Sequence, residues 1–149
     1  MLKNVKKQDP CPVNAVIKKK TGIFDPFEDK ISRQVRNTLA GCILKALCDP
    51  APDLDRCVAD TLDPPENAQY ISDYIDNRKE SLARIRKRLH HLSRSDKQTW
   101  MPVLLWNQGL FFELHEWLEK EWTAETGSRK KALQACILCA IVYEHLSYD

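Results

Sequence analysis

Apolar residues recur every three or four positions along most of the chain, which is the spacing of one face of an α-helix. The first stripe predicts a helix over residues 26–48. Its start signal is Asp25-Pro26-Phe27-Glu28, which supplies an N-cap carboxylate, a proline at the first helical position and a glutamate at the third. A shorter helix is predicted over residues 53–62, and Pro64-Pro65 ends it because proline disrupts a helix interior.

The second half of the chain predicts four more helices. A stripe from residue 66 to 93 gives a long third helix with Arg78 among its apolar positions, and Ser95-Asp96-Lys97-Gln98 is a capping box for a fourth. Two helices over 110–124 and 129–146 are expected to fold back on each other across Gly127. No strand pattern of useful length occurs, so the predicted fold is all-α, a multihelical bundle with a C-terminal antiparallel helix hairpin.

The same pattern divides the chain into an arm and a domain. Residues 1–24 have too few apolar side chains to offset the entropy of ordering and are expected to form a mobile basic arm. Residues 25–149 are expected to form a single helical domain, in which 25–98 hold the N-terminal helices and 99–149 the hairpin.

Charge is strongly segregated along the chain. Residues 1–20 carry +5, residues 49–77 carry −7 and residues 78–97 carry +6, although the whole chain sums to only +2. Such blocks usually mark faces that complement one another within a fold or across a dimer. The alternative is an RNA or an acidic partner bound by the helix over 78–97, but no aromatic residues interleave its cations. The candidate side chains are Lys79, Arg84, Lys87 and Arg88.

The lengths of the apolar runs indicate where in the cell the protein is expected. The longest apolar run, Ala135–Tyr143, is nine residues, well short of the roughly 20 that a membrane-spanning helix requires. The sequence therefore predicts a cytoplasmic protein that does not enter a membrane. In the cytoplasm thiols stay reduced, so the six cysteines are expected to be small core residues, including the pair Cys136 and Cys139.

The four tryptophans all lie within residues 100–122. They are expected in the core, with a docking face as the alternative.

A polar stripe on the predicted fifth helix is the main candidate site. His115 shares an apolar face with Phe111, Leu118 and Trp122, and Glu119 lies one turn after it. Counting outward from Gly127 brings Gln134 to Glu119 and His145 level with Asn107, which favours a buried network of paired polar groups.

A divalent metal or acid/base site is the alternative interpretation of these residues. His115, Glu116 and Glu119 would be its centre, with His115 and Glu119 as the candidate metal ligands and Glu113 or His145 completing the set. Their spacing matches no established ligand signature.

The segment Asn107-x-Gly109-x-Phe111-Phe112-Glu113-x-His115-Glu116-x-x-Glu119-x-x-Trp122, followed by Leu133-Gln134 and Tyr143-x-His145, resembles the uncharacterised helical family called domain of unknown function 309. Ala135 stands where that family usually has glycine. The resemblance implies an all-helical bacterial protein without an assigned reaction. It singles out these positions for testing: Glu113, His115, Glu116, Glu119, Trp122, Gln134 and His145.

Together these observations predict a non-catalytic interaction or scaffold module with no cofactor. Its expected partner is another protein or a second copy, with self-association through the long third helix as one form. The alternatives are the enzyme centred on His115, Glu116 and Glu119, and the RNA or acidic-partner surface on the basic helix.

Overall fold

The computed structural model describes residues 22–48, 54–59 and 69–148, and these form six α-helices and no strand. The helices are α1 (Lys30–Cys48), α2 (Leu54–Ala59), α3 (Gln69–Leu89), α4 (Arg94–Asn107), α5 (Phe111–Ala124) and α6 (Gly127–Leu146). The predicted all-α class is confirmed. None of the described helices is long and apolar enough to cross a membrane. Residues 1–21 of the predicted arm, the predicted helix-stop prolines and the proposed ends of the second helix lie outside the described residues.

Two successive caps precede α1. Asp25 does accept the backbone N–H groups of Phe27 and Glu28 at 2.9 and 3.1 Å, as a cap should, but these residues form a turn. Asp29 then caps the helix itself, because its carboxylate accepts the N–H and the hydroxyl of Ser32, both at 2.8 Å. The helix therefore begins at Lys30, four residues later than predicted.

The junction of α3 and α4 shows the same kind of shift. α3 ends at Leu89 rather than at residue 93, and Ser93 rather than Ser95 caps α4. The Ser93 hydroxyl accepts the Asp96 N–H at 3.2 Å and donates to the Asp96 carboxylate at 2.6 Å. α4 contains Pro102, as expected.

α5 and α6 form the predicted antiparallel hairpin across Glu125 and Thr126, and they pack closely along their length. Gly109 precedes α5 with a φ of 66° and Gly127 opens α6 with a φ of 63°, a left-handed conformation that suits glycine.

Two apolar clusters hold the helices together. One joins the ends of α1 and α3 to α4, α5 and α6, and includes Ile85, Leu105 and Leu110. The other joins α1, α2 and α3 as far as Leu82 around Leu39 and Ile43. Leu47 packs against both clusters, so the N-terminal helices and the hairpin share a continuous interior.

The cysteine prediction is wrong in two respects. Cys42 and Cys57 form a disulfide between α1 and α2, with Cα atoms 6.1 Å apart, whereas reduced thiols were expected. Cys48, Cys136 and Cys139 are free but exposed, whereas core positions were expected. The apolar sequence around Cys136 and Cys139 indicated burial, but it covers all sides of α6 and only one side faces the core.

Candidate functional site

His115 and its neighbours on α5 form a partly exposed polar patch. His115 Nε2 lies 3.1 Å from the Glu119 carboxylate, and Nδ1 lies 3.7 Å from that of Glu116. The His115 side chain is 18% exposed, while about half of the Glu119 side chain is exposed. Among the described residues, no three His, Cys, Asp or Glu side chains converge on a point that a metal ion could occupy.

The predicted partners of this patch on α6 lie elsewhere. Gln134 is exposed, so it is not part of a buried network with Glu119. His145 stacks on Phe27, with ring centroids 3.8 Å apart. Trp122 is half-buried against the core, and the Lys130 ammonium lies 4.3 Å from its ring.

Glu113 is the centre of a buried charge cluster that the sequence did not predict. Its side chain is fully buried, and its Oε1 lies 3.5 Å from Arg78 Nε. A second pair joins Arg36 and Glu144, 3.4 Å apart and each no more than 10% exposed. We call Arg36, Arg78, Glu113 and Glu144 the buried quartet. Its members come from α1, α3, α5 and α6, so the quartet connects both halves of the fold.

Aromatic rings surround the two arginines. The Arg36 guanidinium lies 3.9 Å from the Phe112 ring centroid, and that of Arg78 lies 4.7 Å from Tyr74. Tyr74 in turn stacks on Phe24 at 3.7 Å. A guanidinium tolerates such surroundings because it is weakly hydrated and its face is attracted to aromatic rings.

Burial is the largest influence on the pKa values of the two carboxyls in the quartet. It raises the pKa of the Glu113 carboxyl, and the charges of Arg78 and Arg36 oppose this only in part. Burial also raises the pKa of Glu144, with the Glu113 charge acting in the same direction. Both Glu113 oxygens and one Glu144 oxygen are buried without a hydrogen-bond partner. Burial likewise raises the pKa of Tyr148 nearby to about 12. The carboxyls can therefore retain a proton at a pH where exposed carboxyls are ionised.

A cavity of about 220 Å³ opens beside the quartet. Arg36 and Glu144 line it together with His115 and His145. The structure thus brings His115 and His145 to the same cavity, and His115 keeps the contact with Glu119 that the sequence suggested. Arg36 and Glu144 were not among the predicted site residues. The available signal was their spacing, since both occupy inward positions of otherwise apolar helical stripes.

α6 carries a second apolar surface on the side away from the core. Its inward face uses Leu133, Ile137, Ala140 and Ile141. We call the opposite side the outer face of α6. Its residues recur every three or four positions, and each of them is exposed. It consists of Ala135, Leu138, Cys139, Val142 and Leu146.

An apolar groove of about 430 Å³ adjoins the outer face. α4 contributes Val103 and Trp106 to it, α5 contributes Leu118, and α6 contributes Ala135 and Cys139. We call this the α4–α6 groove. Trp106 meets Tyr143 of α6 with ring centroids 4.8 Å apart.

The expected tryptophan core is only half present. Trp117 and Trp122 pack against the core, but Trp106 is 37% exposed and Trp100 is 51% exposed. The two exposed rings belong to α4, so the docking-face alternative fits them better.

The candidate nucleic-acid residues on α3 differ in their surroundings. Lys79 lies 3.9 Å from Asp76, and Arg84 pairs with Glu80 at 3.3 Å and donates to Gln108 at 2.6 Å. Lys87 and Arg88 are exposed near the end of the helix.

Comparison with known proteins identifies one similarity. Residues 100–149 match the family model described as Domain of unknown function (DUF309), which confirms the resemblance drawn from the motif. The matched part contains α5, α6 and residues 100–107 of α4, whereas Arg36 and Arg78 lie outside it. No curated protein and no solved structure shows significant similarity to the chain.

Proposed function

We propose that this protein is a non-catalytic helical interaction module that self-associates through the outer face of α6 and the adjoining α4–α6 groove. The observation that carries the proposal is the presence of apolar residues on two opposite sides of α6. A helix that is apolar all round is normally buried all round. Here Leu138, Val142 and Leu146 are 57%, 54% and 60% exposed, so one side of α6 lacks a cover among the described residues.

A second copy fits this surface because the outer face contains no charged side chain. Two copies related by a two-fold axis would place apolar residues on apolar residues without burying like charges. The outer face runs over residues 135–146, about 18 Å along α6, and the α4–α6 groove widens the apolar surface beside it. Self-association through α3 is less favourable, because its exposed side carries Arg84, Lys87 and Arg88 and would bring like charges together.

The enzyme alternative has weaker support. The contacts of His115 with Glu116 and Glu119 come from a single helix, and half of the Glu119 side chain is in solvent. Pairs of this kind are common on helix surfaces and need no catalytic purpose.

Sedimentation velocity over a wide range of protein concentrations tests the proposal. We expect a dimer for the native chain and a monomer for Leu138→Glu, because symmetry would bury two unpaired carboxylates at the interface. Ala83→Glu is the control, since it introduces the same carboxylate at an exposed position of α3 and should leave the dimer intact. A native chain that stays monomeric, or a Leu138→Glu variant that still dimerises, would overturn the proposal.

Cys136 and Cys139 belong to the lining of this surface, and their exposed thiols could crosslink two copies. The experiment is therefore made in a Cys136→Ala/Cys139→Ala background, which removes the thiols and keeps both positions apolar. A dimer that disappears in this background would be a product of oxidation and would also count against the proposal.

A further inference from the structure

A second cavity, of about 680 Å³, lies where the ends of α1 and α3 meet the start of α4. It shares no lining residue with the α4–α6 groove. Its volume falls within the range of about 300 to 1,000 Å³ that is usual for small-molecule sites. We call it the basic cavity, because Arg86, His90, Arg94 and Lys97 all line it.

The cations of the basic cavity are available to a ligand. None of Arg86, Arg94 and Lys97 forms an ion pair with any acidic side chain in the described part of the chain. Asp96, the acidic residue in the same turn, is instead held by the Ser93 hydroxyl at 2.6 Å. Grouping cations without counter-ions is unfavourable by itself, which makes the cavity attractive to an anion.

Arg86 is held in place at the cavity wall. Its Nη2 donates to the backbone carbonyl of Ala46 at 3.1 Å, which ties the guanidinium to the end of α1. Since arginine has five N–H donors, this bond leaves several for a ligand. Guanidinium groups bind phosphate through paired hydrogen bonds, while a lysine contributes a mobile point charge.

Apart from the free thiol of Cys48, the remaining described lining is apolar. Ala46, Leu47 and Leu89 contribute to the same cavity, and both Ala46 and Leu89 belong to the packed interior. A ligand that fits both parts has an anionic head and an apolar body. The cavity is partly open, and its cations lie beside a short apolar wall, which suits a small molecule with an apolar body better than the long basic surface that a nucleic-acid strand would need.

We propose that the basic cavity binds a small phosphate monoester with an apolar or aromatic body. The phosphate contacts Arg86, Arg94 and Lys97, and the body lies against Leu47 and Leu89. This site is independent of the proposed self-association, because it uses none of the residues of the outer face of α6.

Calorimetric titration with phenyl phosphate tests the site. We expect saturable binding at one site, and about tenfold weaker binding for Arg86→Gln and for Lys97→Gln, because each removes one charge-assisted contact. Arg88→Gln makes the same charge change on α3 at an exposed position that does not line the cavity, and it should alter the affinity less than twofold. Lys97→Gln is included because it should keep the native fold: the Lys97 side chain forms no hydrogen bond within the described residues, whereas Arg86 bonds to Ala46.

Two further probes distinguish the outcomes. Inorganic phosphate should bind more weakly than phenyl phosphate, and equal affinities would refute the role of the apolar lining. A single-stranded RNA oligonucleotide should not compete with phenyl phosphate. If RNA binds and Arg88→Gln weakens it as much as Arg86→Gln does, the surface is a nucleic-acid face and the proposal is wrong. No detectable binding of phenyl phosphate at low salt would also overturn it.

Discussion

Replacing Arg78 with methionine tests whether the buried quartet depends on its ion pairs. Arg78 is 12% exposed at its side chain and lies 3.5 Å from Glu113, which is fully buried. Methionine keeps much of the apolar contact with Tyr74 but removes the only cation within 4 Å of Glu113 among the described residues. The variant therefore leaves a buried carboxyl without its partner.

Removing one member of a buried pair typically lowers the free energy of unfolding by about 3 to 5 kcal/mol. This is a large part of the roughly 5 to 15 kcal/mol that stabilises an ordinary domain. Arg84→Met is the matched control on the same helix. Arg84 contacts Glu80, Gln108 and Ser81, but its own side chain is 52% exposed and that of Glu80 is 72% exposed, so we expect a loss of about 1 kcal/mol at most. Urea denaturation of both variants gives the comparison.

The decrease in the free energy of unfolding caused by Arg78→Met should also depend on pH. Burial already holds the pKa of Glu113 above that of the unfolded chain, and removing the Arg78 charge raises it further. A carboxyl with a raised pKa favours the folded state below its unfolded pKa, and this contribution is lost as pH rises through its folded pKa. The destabilisation should therefore be smaller at about pH 5 than at about pH 8.

A double-mutant cycle completes the test. Arg78→Met/Glu113→Leu removes both charges and should be more stable than Arg78→Met alone, since no buried charge remains unpaired. The reasoning is refuted if Arg78→Met costs no more than Arg84→Met, or if its cost is the same at both pH values.

Three smaller predictions follow from single contacts. His115→Ala should lower the free energy of unfolding by less than about 1 kcal/mol, because its carboxylate partner is half exposed; a larger loss in urea denaturation would indicate a buried role. Reducing the disulfide between Cys42 and Cys57, which are 15 residues apart, should cost about 3 kcal/mol, and an unchanged Tm with dithiothreitol would contradict this. Ser93→Ala should lower the free energy of unfolding, measured by thermal denaturation, by about 1 kcal/mol, while Ser95→Ala should change it little. The reverse order would show that Ser95 caps α4, as predicted from the sequence.

The helices were predictable because their apolar spacing is a local property of the chain. Their ends were less so, since neighbouring residues compete for the same capping role. Asp25 and Asp29 both accept backbone N–H groups, and the helix begins after the second of them. Ser93 and Ser95 compete in the same way at α4, and their hydroxyls lie 3.0 Å apart.

The buried quartet was not predictable from local spacing. Arg36 and Glu144 are 108 residues apart, and their pairing depends on how α1 packs against the hairpin. The error at Gln134 has a related cause. Because α6 is apolar on opposite sides, residue counting across the hairpin does not determine which side faces α5.

The quartet also indicates how the family-matched segment depends on the rest of the chain. Glu113 and Glu144 lie within residues 100–149, whereas Arg36 and Arg78 come from α1 and α3. Without those two helices, the matched segment would hold two inward carboxylates with no cation to offset their burial. The N-terminal helices therefore contribute charge compensation as well as apolar cover, and they orient the hairpin so that the outer face of α6 points away from the core.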